Sequence, residues 1–176
     1  MAYLVRKLNK RDNIDIIGNT VDIENMFADA ATAEFKSKNG TLSTWRIESL
    51  DKLDEAVLAI VVTSNKIERM DFIVIDTNYL DEQHLEYNQT YAGQKIAVPD
   101  LQDTHYDIIN ITIPRLINCT CVYRRVFKED RDRGIYIVRY VEGDIKDLLN
   151  KAILASRLEI NSLNKGIKNN LTQCNT

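Results

Sequence analysis

Three groups of residues in this chain have types and spacing that chemistry uses. The first is a set of acids and hydroxyls at segment boundaries: Glu48, Asp76, Thr77, Thr112, Glu142 and Asp144. In a parallel α/β sheet such positions fall beyond the carboxyl ends of the strands, where ligands gather. Asp76 with Glu48 and Glu142, converging there, would hold a hard cation such as Mg²⁺, which prefers oxygen ligands and bridges to phosphate. That arrangement would serve a small metal-dependent enzyme acting on a phosphate ester or nucleotide. The competing reading is capping. Asp51, Thr77, Asn78, Thr112 and Asp144 stand where orphan backbone N–H groups need acceptors. Capping is the favoured reading, since α/β loops routinely present such residues.

The second group lies in "DLQDTHYD". In an extended chain Asp103, His105 and Asp107 point to one side, which suits a carboxylate-oriented imidazole base or a mixed metal site. The cluster precedes the apolar part of its strand, at the end where α/β sites are seldom built, so surface hydrogen bonding is the preferred reading. His84, among acids on an expected helix, reads as part of a solvated face. The third group is cationic. Arg124 and Arg125 with Tyr123 can meet a phosphate backbone or an acidic partner. Arg115, Lys128, Arg131, Arg133 and Arg139 extend the local basic character. The formal net charge of −3 favours a protein partner over nucleic acid.

Cys119 and Cys121 form a Cys-x-Cys pair, with Cys174 far away. Zinc needs four ligands, so free thiols are the simpler reading. The chain has no Gly-rich phosphate loop, no Gly-x-Ser-x-Gly elbow and no His-Glu-x-x-His helix. No cofactor is expected.

The elements that must position these residues follow from periodicity. "AYLVRKL" reads as a strand with Tyr3 and Val5 on one face and Leu4 on the other. Ile23, Met26, Phe27, Ala30 and Ala31 recur at helical spacing between Val21 and Ser37. Asn39 or Gly40 can take the left-handed conformation that ends a helix. "TLSTWRIE" then predicts a strand carrying Trp45 and Ile47 into the core. "SLDKLDEAVLAIVVTSN" predicts a helix, and "MDFIVIDT" a strand covered on both faces. "NYLDEQHLE" predicts a short helix, and Tyr87 to Asp100 an irregular loop. "YDIINIT" predicts a strand. A helix from Thr112 to Phe127, with Ile113, Leu116, Ile117, Thr120, Arg124 and Phe127 along one side, competes there with a strand reading of "CTCVYRRVF". "RGIYIVRYV" predicts a strand, "GDIKDLLNKAILASRLE" a helix, and Ser162 onward a last short helix. This alternation favours one α/β domain over residues 1–176, with a largely parallel sheet of about five strands flanked by helices.

With 176 residues, 44% hydrophobic and 28% charged, the chain can bury a full core without staples. "AVLAIVV" is too short to span a bilayer, and no signal-peptide pattern opens the chain. Three unevenly spaced cysteines fit a reducing compartment, so a cytoplasmic location is expected.

"ADAATAEFKSKNGTLSTWRI" resembles a pattern in small prokaryotic proteins, in which an Ala-Asp-Ala-x-Thr helix precedes Asn-x-(Thr)-Leu-Ser-x-Trp. The matching residues are Ala28, Asp29, Ala30, Thr32, Asn39, Leu42, Ser43 and Trp45. Similarity continues through "LDEAVLAI" and "MDFIVID", covering the first half of the chain. The resemblance implies an accessory protein of a bacterial mobile element or an anti-phage or toxin-immunity locus. It implies no activity and no catalytic residues. The expectation is a non-catalytic interaction or regulatory subunit whose partner is another protein of the same locus, with no membrane involved.

Overall fold

Alternation within β3 (Met70–Asp76) dictates a three-layer arrangement. Met70, Phe72 and Val74 enter one buried cluster, whereas Ile73 and Ile75 enter another on the opposite sheet face. A strand buried on both faces needs a cover on each, because its apolar side chains point both ways. In the computed structural model, which describes residues 2–20, 22–26, 28–37, 39–91, 95–129 and 137–172, helices supply both covers.

The other strands are β1 (Tyr3–Lys7), β2 (Leu42–Ile47), β4 (Tyr87–Gln89), β5 (His105–Ile108) and β6 (Ile137–Tyr140). They form one six-stranded sheet in the order β4-β5-β2-β1-β3-β6. Every neighbouring pair is antiparallel. The expected largely parallel sheet of about five strands is therefore overturned. Single-helix crossovers do join co-directional strands: β2 to β3, β3 to β4 and β5 to β6. One strand, β1, separates β2 from β3, and three strands separate each of the other two pairs, so no adjacent pair runs parallel.

One face is covered by α3 (Leu53–Val62), α6 (Glu142–Leu154) and α7 (Lys165–Thr172). From Ala56 to Val62 every residue of α3 is buried, because sheet and α6 enclose it. Gly166, the second residue of α7, stands against the Asn65 carbonyl, where a Cβ would overlap the backbone. The other face is covered by α1 (Arg11–Asn19), α2 (Ala28–Glu34), α4 (Thr77–Glu82) and α5 (Ile113–Glu129).

Several local expectations change. "RDNIDIIGN", for which no element is predicted, forms α1, burying Ile14, Ile17 and Gly18. The expected helix from Val21 to Ser37 divides into a 3₁₀ turn (Ile23–Asn25) and α2. Both Asn39 and Gly40 take positive φ at the turn into β2. The supposed loop from Tyr87 to Asp100 contains β4 and buries Ile96, Ala97 and Val98. The 112–127 region is helical, and Thr120 and Phe127 of the expected stripe are buried with Cys119, Val122, Tyr123 and Val126, whereas Ile113 and Ile117 face outward. Expectations for Val21, Phe27, Arg131, Arg133, Cys174 and the first residues of "RGIYIVRYV" lie outside the described residues. Among the described residues, no helix is long and apolar enough to cross a membrane.

Candidate functional site

Sheet direction decides which acids can meet. The carboxyl ends of β2 and β3 share one rim, whereas β6 runs the other way and ends at the opposite rim. Tyr140 pairs with Met70, the first residue of β3, and Asp76 is its last. Glu142 is thus separated from Asp76 by the length of that strand, roughly 20 Å at about 3.4 Å per residue. Glu48 and Asp76 share a rim, but β1 lies between their strands. The structure does not bring Asp76, Glu48 and Glu142 together.

Each of these acids has a local partner. The Asn78 N–H donates to Asp76 Oδ1 at 2.9 Å, which makes Asp76 the cap of α4. Arg46 Nε lies 3.1 Å from Glu48. Lys146 lies 2.7 Å from Glu142, one turn along α6. Asp144 accepts from the Val141 N–H at 2.9 Å and so closes the α6 N-terminus. Among the described residues, no three of His, Cys, Asp and Glu stand close enough to share a metal ion.

Asp103 also parts from His105. It belongs to the 3₁₀ segment Pro99–Thr104 and lines a cleft of about 350 Å³ with Arg46, Glu48, Lys52 and Glu55. Arg46 is held there by the Tyr106 hydroxyl at 3.0 Å and by Glu48.

His105 opens β5 opposite Trp45, and its ring meets the indole edge-on at 4.9 Å between centroids. Trp45 is 4% exposed, as expected of the only tryptophan, and His105 is 6% exposed. Ser43, an exposed residue opposite Asp107, places Oγ 2.5 Å from His105 Nε2 in a half-buried contact. Thr90 follows β4, and its N–H donates to the His105 carbonyl at 3.0 Å. Thr90 Oγ1 lies 2.9 Å from His105 Nδ1 and donates to Asp107 Oδ2 at 3.0 Å. Three neighbouring strands therefore assemble Ser43, His105, Thr90 and Asp107 on one sheet face. Asp107 shared the pattern expected of "DLQDTHYD", but Ser43 and Thr90 carried no signal. Ser43 lies 62 positions from His105, and only strand pairing makes them neighbours.

The cationic trio has mixed placements. Tyr123 is fully buried, with its ring 4.6 Å from that of Phe35. Arg124 donates to the Thr20 carbonyl at 2.9 Å, tying α5 to the end of α1. Arg125 lies over the Tyr79 ring at 4.1 Å and pairs with Glu82 and Glu129. These two carboxylates hold the guanidinium firmly charged, with its pKa raised.

The same helix turns a different surface outward. Ile113 is 81% exposed and Ile117 is 54% exposed, one turn apart on α5. Beside them Ile23, Met26, Ala31 and Leu116 line an open groove of about 190 Å³ between α2, the preceding 3₁₀ turn and α5. Thr32 and Thr120 supply its polar positions.

The fold is thus a three-layer α/β/α domain built on a fully antiparallel sheet. In comparisons with family models, curated proteins and solved structures, nothing matches the chain.

Proposed function

We propose that the chain is a protein-interaction or regulatory subunit that docks a partner through the groove between α2 and α5. The supporting observation is the placement of Ile113 and Ile117, two large apolar side chains held outward on a rigid 17-residue helix. Apolar side chains clustered beside a concave apolar surface mark interaction sites on soluble domains. Spacing of one helical turn, with Leu116 between them, suits the apolar stripe of a partner helix or an extended apolar segment. Burying both isoleucines on docking would contribute about 1.5–3 kcal/mol each before the costs of association. Arg124 and Arg125 act as supports: they fasten α5 to α1, α4 and their own helix, so the outward face keeps its shape.

We place the partner among the products of the same locus, a bacterial defence or toxin-linked system, as the sequence resemblance implies. The test is co-expression of the full chain with the products of neighbouring genes, followed by size-exclusion chromatography. The expected result is a shared, heavier peak that Ile113→Lys with Ile117→Lys removes while the circular dichroism spectrum stays unchanged. A chain that elutes alone with every neighbour overturns the reading.

A further inference from the structure

We propose that Ser43 is a base-activated nucleophile that accepts an acyl group from small, unhindered carboxylic esters, an activity separate from docking and independent of it. One group in the network cannot donate, and it sets the direction of every other hydrogen bond. The Asp107 carboxylate is acceptor-only, so the hydroxyl bridging to it must donate: Thr90 O–H points to Asp107 Oδ2. Thr90 Oγ1 then has only lone pairs left for His105 Nδ1, which must carry the ring proton. That tautomer leaves Nε2 bare, and the atom 2.5 Å from it is Ser43 Oγ. Proton directions thus run from Ser43 to His105 to Thr90 to Asp107.

This is the logic of an activated serine: a hydroxyl on a basic nitrogen whose ring is held by a further acceptor. Here a threonine hydroxyl relays the carboxylate's orienting effect. Asp107 Oδ1 also lies 4.0 Å from Nε2. Trp45 fixes the ring from the side, and the backbone bond from Thr90 to His105 fixes the relay. Ser43 is an exposed residue and its contact with His105 is half-buried, so the pair lies at the surface where an ester can approach.

The step balances. Ser43 Oγ bonds to the ester carbonyl carbon, and its proton passes to His105 Nε2. The ester C–O bond breaks, the alcohol leaves with the proton from Nε2, and the acyl group stays on Ser43. Water, losing a proton to Nε2, then releases the carboxylic acid and restores the hydroxyl.

The test uses the full chain with p-nitrophenyl acetate and with a fluorophosphonate probe, read by intact mass and peptide mapping. The expected result is one adduct, on Ser43, absent from Ser43→Ala and slowed about 100-fold in His105→Gln. Thr90→Val should slow labelling too, since it breaks the relay while keeping side-chain shape. Ser43→Cys provides a variant at an exposed position: its new thiol should alkylate faster than Cys121 in the same folded chain. Adducts that survive Ser43→Ala, labelling no faster than in the urea-unfolded chain, or a new thiol no faster than Cys121 would each overturn the proposal.

Discussion

Gly18 of α1 stands against the ring of Phe127 on α5, so close that a Cβ at position 18 would overlap the ring carbons. Two helices far apart in sequence meet here without room for a methyl group. Glycine inside a helix costs about 0.5–1 kcal/mol relative to alanine. The contact makes that cost necessary, because an alanine would force the ring or α1 aside.

Gly18→Ala should therefore destabilise the fold, by about 1–3 kcal/mol, despite its better helix propensity. Adding Phe127→Leu to the same chain should return part of the loss, because the smaller side chain leaves room for the methyl. Urea midpoints of the two single variants and the double variant check this, and simple additivity would contradict the contact.

Glu34, at the end of α2, is completely buried. Burial pushes its carboxyl up to about 7, against the lowering influence of Arg6 and of the backbone N–H of Asn9, which donates at 3.1 Å. The folded chain then holds this proton more tightly than the unfolded chain, whose carboxyl titrates at its ordinary value. Glu34's proton-linked stability is complete below about pH 4.5 and is lost as pH rises through 7, on the order of 3 kcal/mol in all. Glu34→Gln should flatten this part of the profile. Urea unfolding at a series of pH values is the measurement.

Arg157, just after α6, reaches two acids on different segments. Its Nη2 lies 2.6 Å from Glu55 on α3 and 2.6 Å from Asp100 in the 3₁₀ segment. The group is partly exposed, so solvent screens it. Arg157→Met should cost about 1 kcal/mol or less, and the difference should shrink in about 1 M salt. Paired unfolding curves at low and high salt check both the size and the screening.

Cys119 is buried on α5, and burial pushes its thiol up to about 12. Thiolate is the reactive form, so iodoacetamide at about pH 8 should leave Cys119 unlabelled in the folded chain. Cys121, half-buried two residues on, should label first. Peptide mapping with and without urea distinguishes them, and native labelling of Cys119 at the rate of Cys121 would contradict its placement.

Much of this arrangement was legible in local pattern. The β3 run, the strand around Trp45, and the helices α3 and α6 each carry a period long enough to outvote local exceptions. Helix α1 was not legible as a helix: in nine residues it has three isoleucines and a glycine in its last turn, and packing against α5 holds it. Ile113 and Ile117 read as core by hydrophobicity alone, because nothing local says where the neighbouring helix stops.

By itself, the sequence determined most of the strands and helices, though not α1 or β4, because alternation at two or about 3.6 residues is a property of neighbours along the chain. It also determined that Trp45 goes inward and that Asn39-Gly40 turns the chain. Only the tertiary structure decided that every strand runs against its neighbours, which puts Glu142 and Asp76 at opposite rims and brings Ser43 to His105. Strand order and direction are settled by how whole layers pack over long loops, and no local period encodes them.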